Sequence, residues 1–413
     1  MFLNFKVTKL IAIFILLFTL LSGVLIKLGN ENIRSSKTAN KTNLQDSLQI
    51  IIDQYYEQIN ASITNAKTLT NARFSKEANL KELKDNKEIK RFNKLRLITI
   101  DSILDSLKNK GVKLSMSNVD SLHLIHEELK GYLLNIDSTI ENISKRLERL
   151  SFTIDDLINI DSKITQKISS LLSKINYLVR NYEGDLQLKI KGKRVSIFIM
   201  NMTKQNINLH LNNKFSRNYF YFDSVKSYLN SKNHAPLMIT NAGMFNPSYH
   251  PVGLYIENAG KALQELDTSL IFTGDNFYLH PNGVFYVDTN NIPSILTTTN
   301  FSSKYHLDYL SIKMATQSGP MLVIDNKIHP KFTQTSINFK IRSGVGVIDH
   351  QRVVFAVTLD KFTFYDFAET FKDIFACQNA LFLDGQISKM YLKGYPEIEY
   401  SGMFGPIISI TEK

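Results

Sequence analysis

The sequence predicts an α+β protein, in which a C-terminal domain of mixed or antiparallel β-sheet with few helices follows a membrane anchor and a long helical coiled-coil stalk. Three observations support this prediction. An uncharged apolar run lies near the N-terminus, the segment after it repeats apolar residues at intervals of three and four, and the rest alternates short apolar runs with Gly, Asn and Pro. The predicted domains are residues 1–30, 31–184 and 185–413.

Composition and charge limit the classes of protein to consider. With 413 residues, of which 43% are hydrophobic and 11% aromatic, the chain has the composition of a globular protein and not of a disordered one. The net charge is +11, and Lys and Arg outnumber Asp and Glu by 27 to 20 before residue 185 and by 22 to 18 after it. No nucleic-acid-binding motif accompanies this charge, so we expect a solvated helical face near anionic lipid and no nucleic-acid partner. The single cysteine, Cys377, excludes an intramolecular disulfide and is expected to be inert packing.

The predicted membrane anchor is the uncharged run Leu10–Ile26, flanked by Lys6, Lys9 and Lys27. It is short for a spanning helix, but the flanking lysines can snorkel to the interface. A cleaved signal peptide is the alternative, and we favour an uncleaved anchor because no small-x-small cleavage site follows the run. The flanking charges leave the orientation ambiguous.

A long amphipathic helix is predicted from Val119 to Leu178, with a capping-box start at Ser117 and a stop at Gly184. Eighteen positions form one seam at alternating spacings of three and four, which is typical of a coiled coil. The seam consists of Val119, Leu122, His126, Leu129, Leu133, Ile136, Ile140, Ile143, Leu147, Leu150, Ile154, Leu157, Asp161, Ile164, Ile168, Leu171, Ile175 and Leu178. The two polar members, His126 and Asp161, are expected to be tolerated there.

An earlier segment, from Leu44 to Ile63, shows the same spacing. The two helical segments either fold back on each other as an antiparallel hairpin or pair with other subunits. The second arrangement makes residues 31–184 an oligomerisation stalk, and the first makes them an intrachain bundle.

After Gly184 the pattern changes to short β-like runs. They are Val195–Met200, Leu237–Thr240, Gly253–Ile256, Gly283–Val287, Met321–Ile324, Val345–Ile348, Val353–Thr358 and Ala380–Leu383. Few helices intervene, one of them at Phe364–Phe375, so the regular alternation of a doubly wound fold is absent.

Glycine marks four segments of this region, and one of them delivers a carboxylate from a buried strand. Ala380–Leu383 leads directly into Asp384 and Gly385, so the carboxyl emerges from an apolar strand, where its pKa can be raised. A carboxylate in this position can also simply cap its own turn. The four segments are Asn241–Phe245, Gln317–Val323, Arg342–Val347 and Asn379–Tyr391.

The ordered set of segments resembles the phosphodiester glycosidase family, and in particular its bacterial domain-of-unknown-function branch. The resemblance covers roughly residues 185–413 and extends to further segments, which are Pro251–Tyr255, Asn276–Leu279, Asn282–Tyr286 and Lys327–Pro330. It implies a hydrolase that cleaves a glycosyl phosphodiester. The chain departs from the family pattern after Gly385, where Gln386 replaces a glycine and Lys389 replaces a serine. These departures keep a second function open, that of a non-catalytic, glycan-binding envelope scaffold.

Cleavage of a sugar–phosphate bond needs an acid, a base or nucleophile, and cations for the phosphate. Asp384 is the first candidate for a catalytic carboxylate, and Asp275 and Glu257 are candidates for a second one. Arg342 is expected to hold the phosphate, and Gly344 and Gly346 to let the ligand approach the backbone. The expected substrate-binding residues are Asn241, Gly243, Phe245, Gln317, Ser318, Gly319, Arg342, Gly385 and Ser388.

No cofactor is expected. Asp275 and Asp384 could hold a divalent ion, but no spacing requires one, and His250, His280 and His329 lack metal-ligand spacing. The expected partners are a glycan or sugar-phosphate substrate, the membrane through residues 10–26, and a second copy of the chain through the coiled coil. The resemblance places the C-terminal domain outside the cytoplasm, in the periplasm or at the cell surface.

Overall fold

The computed structural model describes residues 35–110, 116–212, 217–271, 274–385, 387–395 and 402–413. The described chain forms two compact units. One is Gln54–Ser173, and the other joins the described residues up to Asp53 to those from Lys174 onwards. The predicted anchor at residues 10–26 and the unusual Gln386 lie outside the described residues. Within them, no helix combines the length and the apolar character needed to cross a membrane.

The helices are few, and two of them are long. They are α1 (Ser35–Lys110), α2 (Met116–Arg180), α3 (Phe222–Ser231), α4 (Thr298–Tyr305) and α5 (Phe364–Glu369). A 3-10 turn covers Asn276–Tyr278, and α5 continues as a π-helical turn over Thr370–Ile374. The long N-terminal helices and the antiparallel sheets that follow confirm the predicted α+β class.

Within the unit Gln54–Ser173, α1 and α2 form an antiparallel pair. Asn65 of α1 donates to the carbonyl of Leu157 on α2 at 3.0 Å, and Arg146 of α2 pairs with Glu82 of α1 at 3.0 Å. Residues later in α1 therefore contact residues earlier in α2. Of the two arrangements that the sequence left open, the structure shows the hairpin, and association with another subunit stays a prediction.

The seam of α2 is the face that this pairing covers. From Leu122 to Leu171 every predicted seam position is buried or half-buried, and Ile143 is fully buried. The two polar members find partners on α1. His126 Nε2 lies 2.6 Å from Asp101 Oδ1, and Asp161 accepts a hydrogen bond from Ser62 at 3.4 Å.

Sixteen strands follow, and every strand pairing in the described residues is antiparallel. The strands are β1 (Gly184–Ile190), β2 (Lys193–Asn201), β3 (Gln205–His210), β4 (Pro236–Asn241), β5 (Tyr255–Asn258), β6 (Lys261–Gln264), β7 (Gly283–Asp288), β8 (Pro293–Thr297), β9 (Ile312–Ser318), β10 (Met321–Ile324), β11 (Lys327–Ile328), β12 (Ser343–Asp349), β13 (Arg352–Thr358), β14 (Asn379–Asp384), β15 (Met390–Leu392) and β16 (Ile407–Glu412).

These strands form three sheets around one hydrophobic core. The seven-stranded sheet has the order β1-β2-β13-β12-β14-β10-β11, the four-stranded sheet β15-β4-β16-β3, and the five-stranded sheet β6-β5-β9-β7-β8. Each sheet contributes buried side chains to the same core, for example Phe355, Met238 and Phe285. The junction of the three sheets is where the candidate site lies.

One edge of the seven-stranded sheet is covered by side chains from the first turns of α1. The amide of Gln49 accepts from the backbone N–H of Lys189 at 2.7 Å and donates to the carbonyl of the same residue at 2.8 Å. Gln45 accepts from the N–H of Gln187 at 3.4 Å. These contacts satisfy backbone groups of β1 that an edge strand otherwise leaves open to another chain.

Candidate functional site

Asp384 lies where the three sheets meet. It ends β14, whose preceding residues Phe382 and Leu383 are fully buried, and its Cα partner in the sheet is Ser343 at the start of β12. Ser318 at the end of β9 in the five-stranded sheet donates to the carbonyl of Leu383 at 2.9 Å. The strand that presents the carboxylate is thus fixed from both sides.

The hydroxyl of Ser343 organises the backbone around Asp384. It accepts from the N–H of Asp384 at 3.1 Å, from the side chain of Asn241 at 2.9 Å and from the hydroxyl of Ser388 at 2.8 Å. Asn241 ends β4 in the four-stranded sheet, and its own side-chain oxygen accepts from the N–H of Lys389 at 3.4 Å. One hydroxyl therefore joins two sheets to the segment that follows the catalytic candidate.

The carboxyl of Asp384 has an unusual affinity for its proton. Burial raises its pKa from 3.8 to about 6, although the N–H of Gly385, which donates to Oδ1 at 2.6 Å, opposes this shift. The desolvation follows from its position at the exit of an apolar strand, as the sequence predicted. At neutral pH the carboxyl is mostly ionised yet close enough to its pKa to exchange a proton.

A cavity of about 220 Å³ opens next to Gly385, the residue that follows Asp384, and it is hereafter called the cavity. Two cations, two amides, an aromatic ring and the residue after Asp384 line it. These are Arg342, Lys340, Asn276, Asn338, Phe364 and Gly385. The combination of cations and amide donors is suited to a small anion with polar substituents.

Arg342 is a buried cation whose position is fixed by its neighbours. Its Nε donates to the carbonyl of Phe362 and its Nη2 to the carbonyl of Asn338, both at 2.9 Å. The guanidinium carbon lies 3.6 Å from the ring centroid of Phe364 and 5.8 Å from that of Phe382. Burial lowers the pKa of Arg342 to about 10, so it stays charged at neutral pH.

No carboxylate among the described residues forms an ion pair with Arg342 or with Lys340. A buried charge is costly unless it is paired, and the carbonyls that hold Arg342 compensate only part of that cost. The cavity therefore combines two cations that have no carboxylate counter-ion in the described part of the chain, which favours an anionic ligand such as a phosphate.

Several residues expected to bind substrate instead point into the protein. Asn241 is buried with its side chain committed to the Ser343 network, so it positions the Asp384 segment and does not meet ligand. Gln317 bonds with the backbone of Leu254 and Asp267, and Ser318 bonds with Leu383. Four further residues of the expected set also pack against or bond with other residues of the protein, and these are Gly243, Phe245, Gly319 and Ser388. Of the expected set, Arg342 and Gly385 line the cavity.

The glycines after Arg342 also serve packing. A side chain at Gly346 would lie 2.5 Å from the sulfur of Cys377 and 2.7 Å from the ring of Phe371. A side chain at Gly344 would lie 3.1 Å from the ring of Phe367. The glycines therefore allow α5 and its π-helical turn to lie close on β12, and the expectation that they admit ligand is wrong. The buried thiol of Cys377, whose pKa burial raises, is part of this packing.

None of the three carboxylate candidates is among the residues that line the cavity, and Asp384 is joined to the lining residue Gly385, whose N–H donates to its Oδ1. Burial raises the pKa of Glu257 to about 7, but its neighbours are the hydroxyl of Tyr255 at 3.5 Å and the backbone of Leu211. Asp275 is exposed and directly precedes the cavity-lining Asn276. The residues described contain no group of three or more His, Cys, Asp or Glu side chains placed to hold a metal ion.

The sequence did not identify four of the cavity residues or the central role of Ser343. Asn276 and Ser343 lie inside segments that carried the family resemblance, and that membership was the available signal. Asn338, Lys340 and Phe364 carried no such signal, because loop residues and a residue of α5 reach the cavity only through the tertiary fold.

We expect Ser343→Ala to impair the site more than its volume change suggests. The substitution leaves the N–H of Asp384 and the amide of Asn241 without their acceptor, at a cost of about 1–3 kcal/mol in unfolding free energy. Turnover should fall and its pH dependence should shift, because the carboxyl of Asp384 moves. Ser409→Ala is the matched control, since its buried hydroxyl bonds with His210 at 2.7 Å. Equal activity in both variants would remove Ser343 from the site.

Comparison with known proteins covers the part of the chain that contains this site. The family model described as phosphodiester glycosidase matches residues 234–403. The Escherichia coli K12 protein YigE, which is uncharacterised, is 38% identical over 157 residues. That match covers 38% of this chain and 58% of the relative, so the chain spans little more than half of the relative's length. The matched region contains Asp384 and all six residues that line the cavity.

Proposed function

We propose that the chain hydrolyses a glycosyl phosphodiester at Asp384 and the cavity next to Gly385, because residues 234–403 match the family model described as phosphodiester glycosidase. One arrangement carries this proposal. A carboxyl with a pKa near neutrality directly precedes Gly385 of a cavity whose two cations have no counter-ion among the described residues. The proposed substrate is a sugar-1-phosphodiester of an envelope glycan or polymer, the class that the family resemblance implies.

A mechanism with a single carboxyl, that of Asp384, fits the chemistry of a phosphate leaving group. Ordinary glycosidases use a second carboxyl to protonate the departing sugar oxygen. A phosphate monoester is a much weaker base, since its second pKa is about 6, and two cations can stabilise its charge directly. Arg342 and Lys340 would thus take the place of the general acid.

The step is then a displacement by water at the anomeric carbon. Asp384, ionised at neutral pH, accepts one proton of the water while the water oxygen bonds to that carbon. The anomeric C–O bond breaks, and its electron pair stays on the phosphate monoester, which Arg342 and Lys340 hold. The products are a free sugar and a phosphate monoester. Turnover should accordingly rise with pH through about 6, the pKa of Asp384.

The role of Phe364 in this scheme is to position the cation. Because the guanidinium of Arg342 lies 3.6 Å from the centroid of its ring, that face of Phe364 is not available to stack on a sugar. The amides of Asn276 and Asn338 are the groups left to bond with sugar hydroxyls or phosphate oxygens. The carbonyl of Asn338 is already bonded with Arg342, so the two residues are held together.

The direct test is a panel of glycosyl phosphodiesters, assayed with the full chain and with Lys340→Gln. We expect hydrolysis of at least one member and a threefold to tenfold rise in KM for the variant, because an exposed cation contributes about 1 kcal/mol to phosphate binding. The effect should shrink at high salt. Lys327→Gln, an exposed lysine on β11, is the matched control and should leave KM unchanged.

The panel also decides between hydrolysis and the non-catalytic alternative. Saturable binding of phosphodiesters by the wild type, without release of sugar from any of them, would contradict the proposal and favour a glycan-binding scaffold. This alternative stays open because Lys389 stands where the family pattern has a serine.

We also propose that the substrate lies in the cell envelope, on the basis of the apolar run at residues 10–26 and the family resemblance. A reporter enzyme fused after Lys413 should be active only outside the cytoplasm. Reporter activity inside the cytoplasm would make an envelope substrate untenable.

A further inference from the structure

Exposed apolar side chains lie on the segments that contribute residues to the cavity. Three segments that line it each carry large apolar residues next to, or a few positions from, a lining residue. Ile337 and Phe339 flank Asn338, Ile387 follows Gly385 by two positions, and Leu270 and Ile271 precede Asn276. We call these five residues the apolar rim: Leu270, Ile271, Ile337, Phe339 and Ile387.

The exposure of the apolar rim is large. Ile337 is 88% exposed, Leu270 81% and Ile271 75%. These are high exposed fractions for large apolar side chains. The segment with Leu270 is tied to that of Asn276, because the hydroxyl of Tyr278 donates to Asp267 at 3.0 Å. Exposed apolar residues on the segments that line a polar cavity are typical of a binding surface.

Cations accompany the apolar rim. The ammonium of Lys193 lies 4.5 Å from the ring centroid of the rim residue Phe339, and Lys340 and Arg342 lie within the cavity. Apolar side chains interleaved with lysine and arginine are characteristic of surfaces that meet the boundary between lipid headgroups and acyl chains. The charges complement phosphate, and the apolar rim complements hydrocarbon.

We propose that the phosphodiester accepted by the cavity is carried by a lipid, whose alkyl chain lies against the apolar rim while its phosphate meets Arg342 and Lys340. This inference rests on the proposed function for the reaction. It concerns the second group esterified to the phosphate, the one opposite the sugar. In the reaction, the water oxygen bonds to the anomeric carbon, Asp384 takes the proton, and the lipid keeps the phosphate as a monoester.

Two probes that cannot be hydrolysed as glycosides test the inference by binding alone. Dimethyl phosphate and dodecyl methyl phosphate carry the same charge and differ in one alkyl chain. Titration calorimetry of the full chain, below the micelle concentration, should show the dodecyl probe binding at least about tenfold more tightly, as partial burial of apolar side chains requires. Lys340→Gln should weaken the binding of both probes.

A pair of double variants locates the alkyl chain. Ile337→Ser with Leu270→Ser should abolish most of the preference for the dodecyl probe and leave dimethyl phosphate unaffected. Leu307→Ser with Leu310→Ser is the matched control, since these residues are 63% and 76% exposed but lie near the start of β9. The site is at the other end of this strand, about 20 Å away at 3.3 Å per residue.

The outcomes separate this inference from the proposed function. Equal binding of both probes overturns the inference. A dodecyl preference that survives in the rim variant also overturns it, because the alkyl chain of the probe then binds elsewhere on the protein, for example at residues 10–26. A second copy of the chain seated on the apolar rim would also overturn it, and would appear as dissociation of an oligomer in the rim variant. A rim-dependent preference together with no turnover of any glycosyl phosphodiester would support the inference and contradict the proposed function.

Discussion

Asp384→Asn is expected to reduce the turnover of a glycosyl phosphodiester by about 10²- to 10⁴-fold, while binding of the phosphate is largely retained. The substitution keeps the shape of the side chain and an oxygen that can accept from the N–H of Gly385, but it removes the group that takes the proton of the water. Single-turnover kinetics and calorimetry with a phosphodiester measure the two quantities separately. Loss of binding equal to the loss of turnover would contradict a role in the chemical step.

The same variant should be more stable than the wild type above pH 6. The folded state raises the pKa of Asp384 from 3.8 to about 6, so the folded protein holds this proton more tightly than the unfolded chain does. The wild type therefore loses stability as pH rises from about 4 to about 6, by up to about 3 kcal/mol, and Asp384→Asn does not. Thermal unfolding at pH 4 and pH 8 measures the difference, which should be small at the lower pH.

Glu257→Gln is the matched control for this pair of effects. Its carboxyl also has a pKa raised by burial, to about 7, but it lies against Tyr255 and Leu211 and not against the cavity. The variant should gain stability at alkaline pH in the same direction and should keep its turnover. A large loss of turnover would instead make Glu257 the second catalytic carboxyl that the sequence suggested.

Arg342→Lys is expected to weaken binding of phosphodiesters about 5- to 100-fold, which corresponds to about 1–3 kcal/mol. Lysine keeps the charge but loses the planar group that lies over Phe364 and bonds with two carbonyls. The carbonyls of Phe362 and Asn338 each lose a donor, so the unfolding free energy should fall as well, although the carbonyl of Phe362 still accepts from the N–H of Lys340 at 3.0 Å. Calorimetric titration and thermal unfolding measure these two effects.

Arg194→Lys provides the comparison for Arg342→Lys. Arg194 also uses its planar group to hold two oxygens, those of Asp360 at 2.9 and 3.1 Å, but it is exposed. We expect little change in stability and none in binding. If Arg342→Lys affected stability alone, with phosphodiester affinity intact, the guanidinium would be a structural cation and the phosphate would bind elsewhere.

The sequence predicted the parts of the fold that depend on local periodicity. The seam of α2 was readable because burial on a helix recurs at a fixed spacing, and each member from Leu122 to Leu171 is indeed covered. Runs of apolar residues located several central strands, among them β10 at Met321–Ile324. Strands of mixed composition, such as β3 and β9, gave no such run and were missed.

The site was less predictable because it depends on which way side chains point at the ends of strands. Asp384 could be found from the apolar strand before it, and Arg342 from its motif. The amide of Asn241 was expected to face a ligand, yet the register of β4 turns it toward Ser343 of another sheet. Lys340 and Phe364 reach the cavity from a loop and from α5, which no spacing in the sequence relates to Asp384.

The contacts of Gln45 and Gln49 with β1 determine which fragments of the chain can be studied separately. The side-chain amide of Gln49 resembles a peptide group and bonds with Lys189 as a neighbouring strand would. A fragment that starts at residue 185 lacks Gln45 and Gln49, so the edge of β1 is open. We expect such an edge to pair with other copies and to cause precipitation. A fragment limited to residues 234–403 also lacks β16, the strand that lies between β4 and β3. Truncation for biochemical work should therefore begin before Gln45 and end after Glu412.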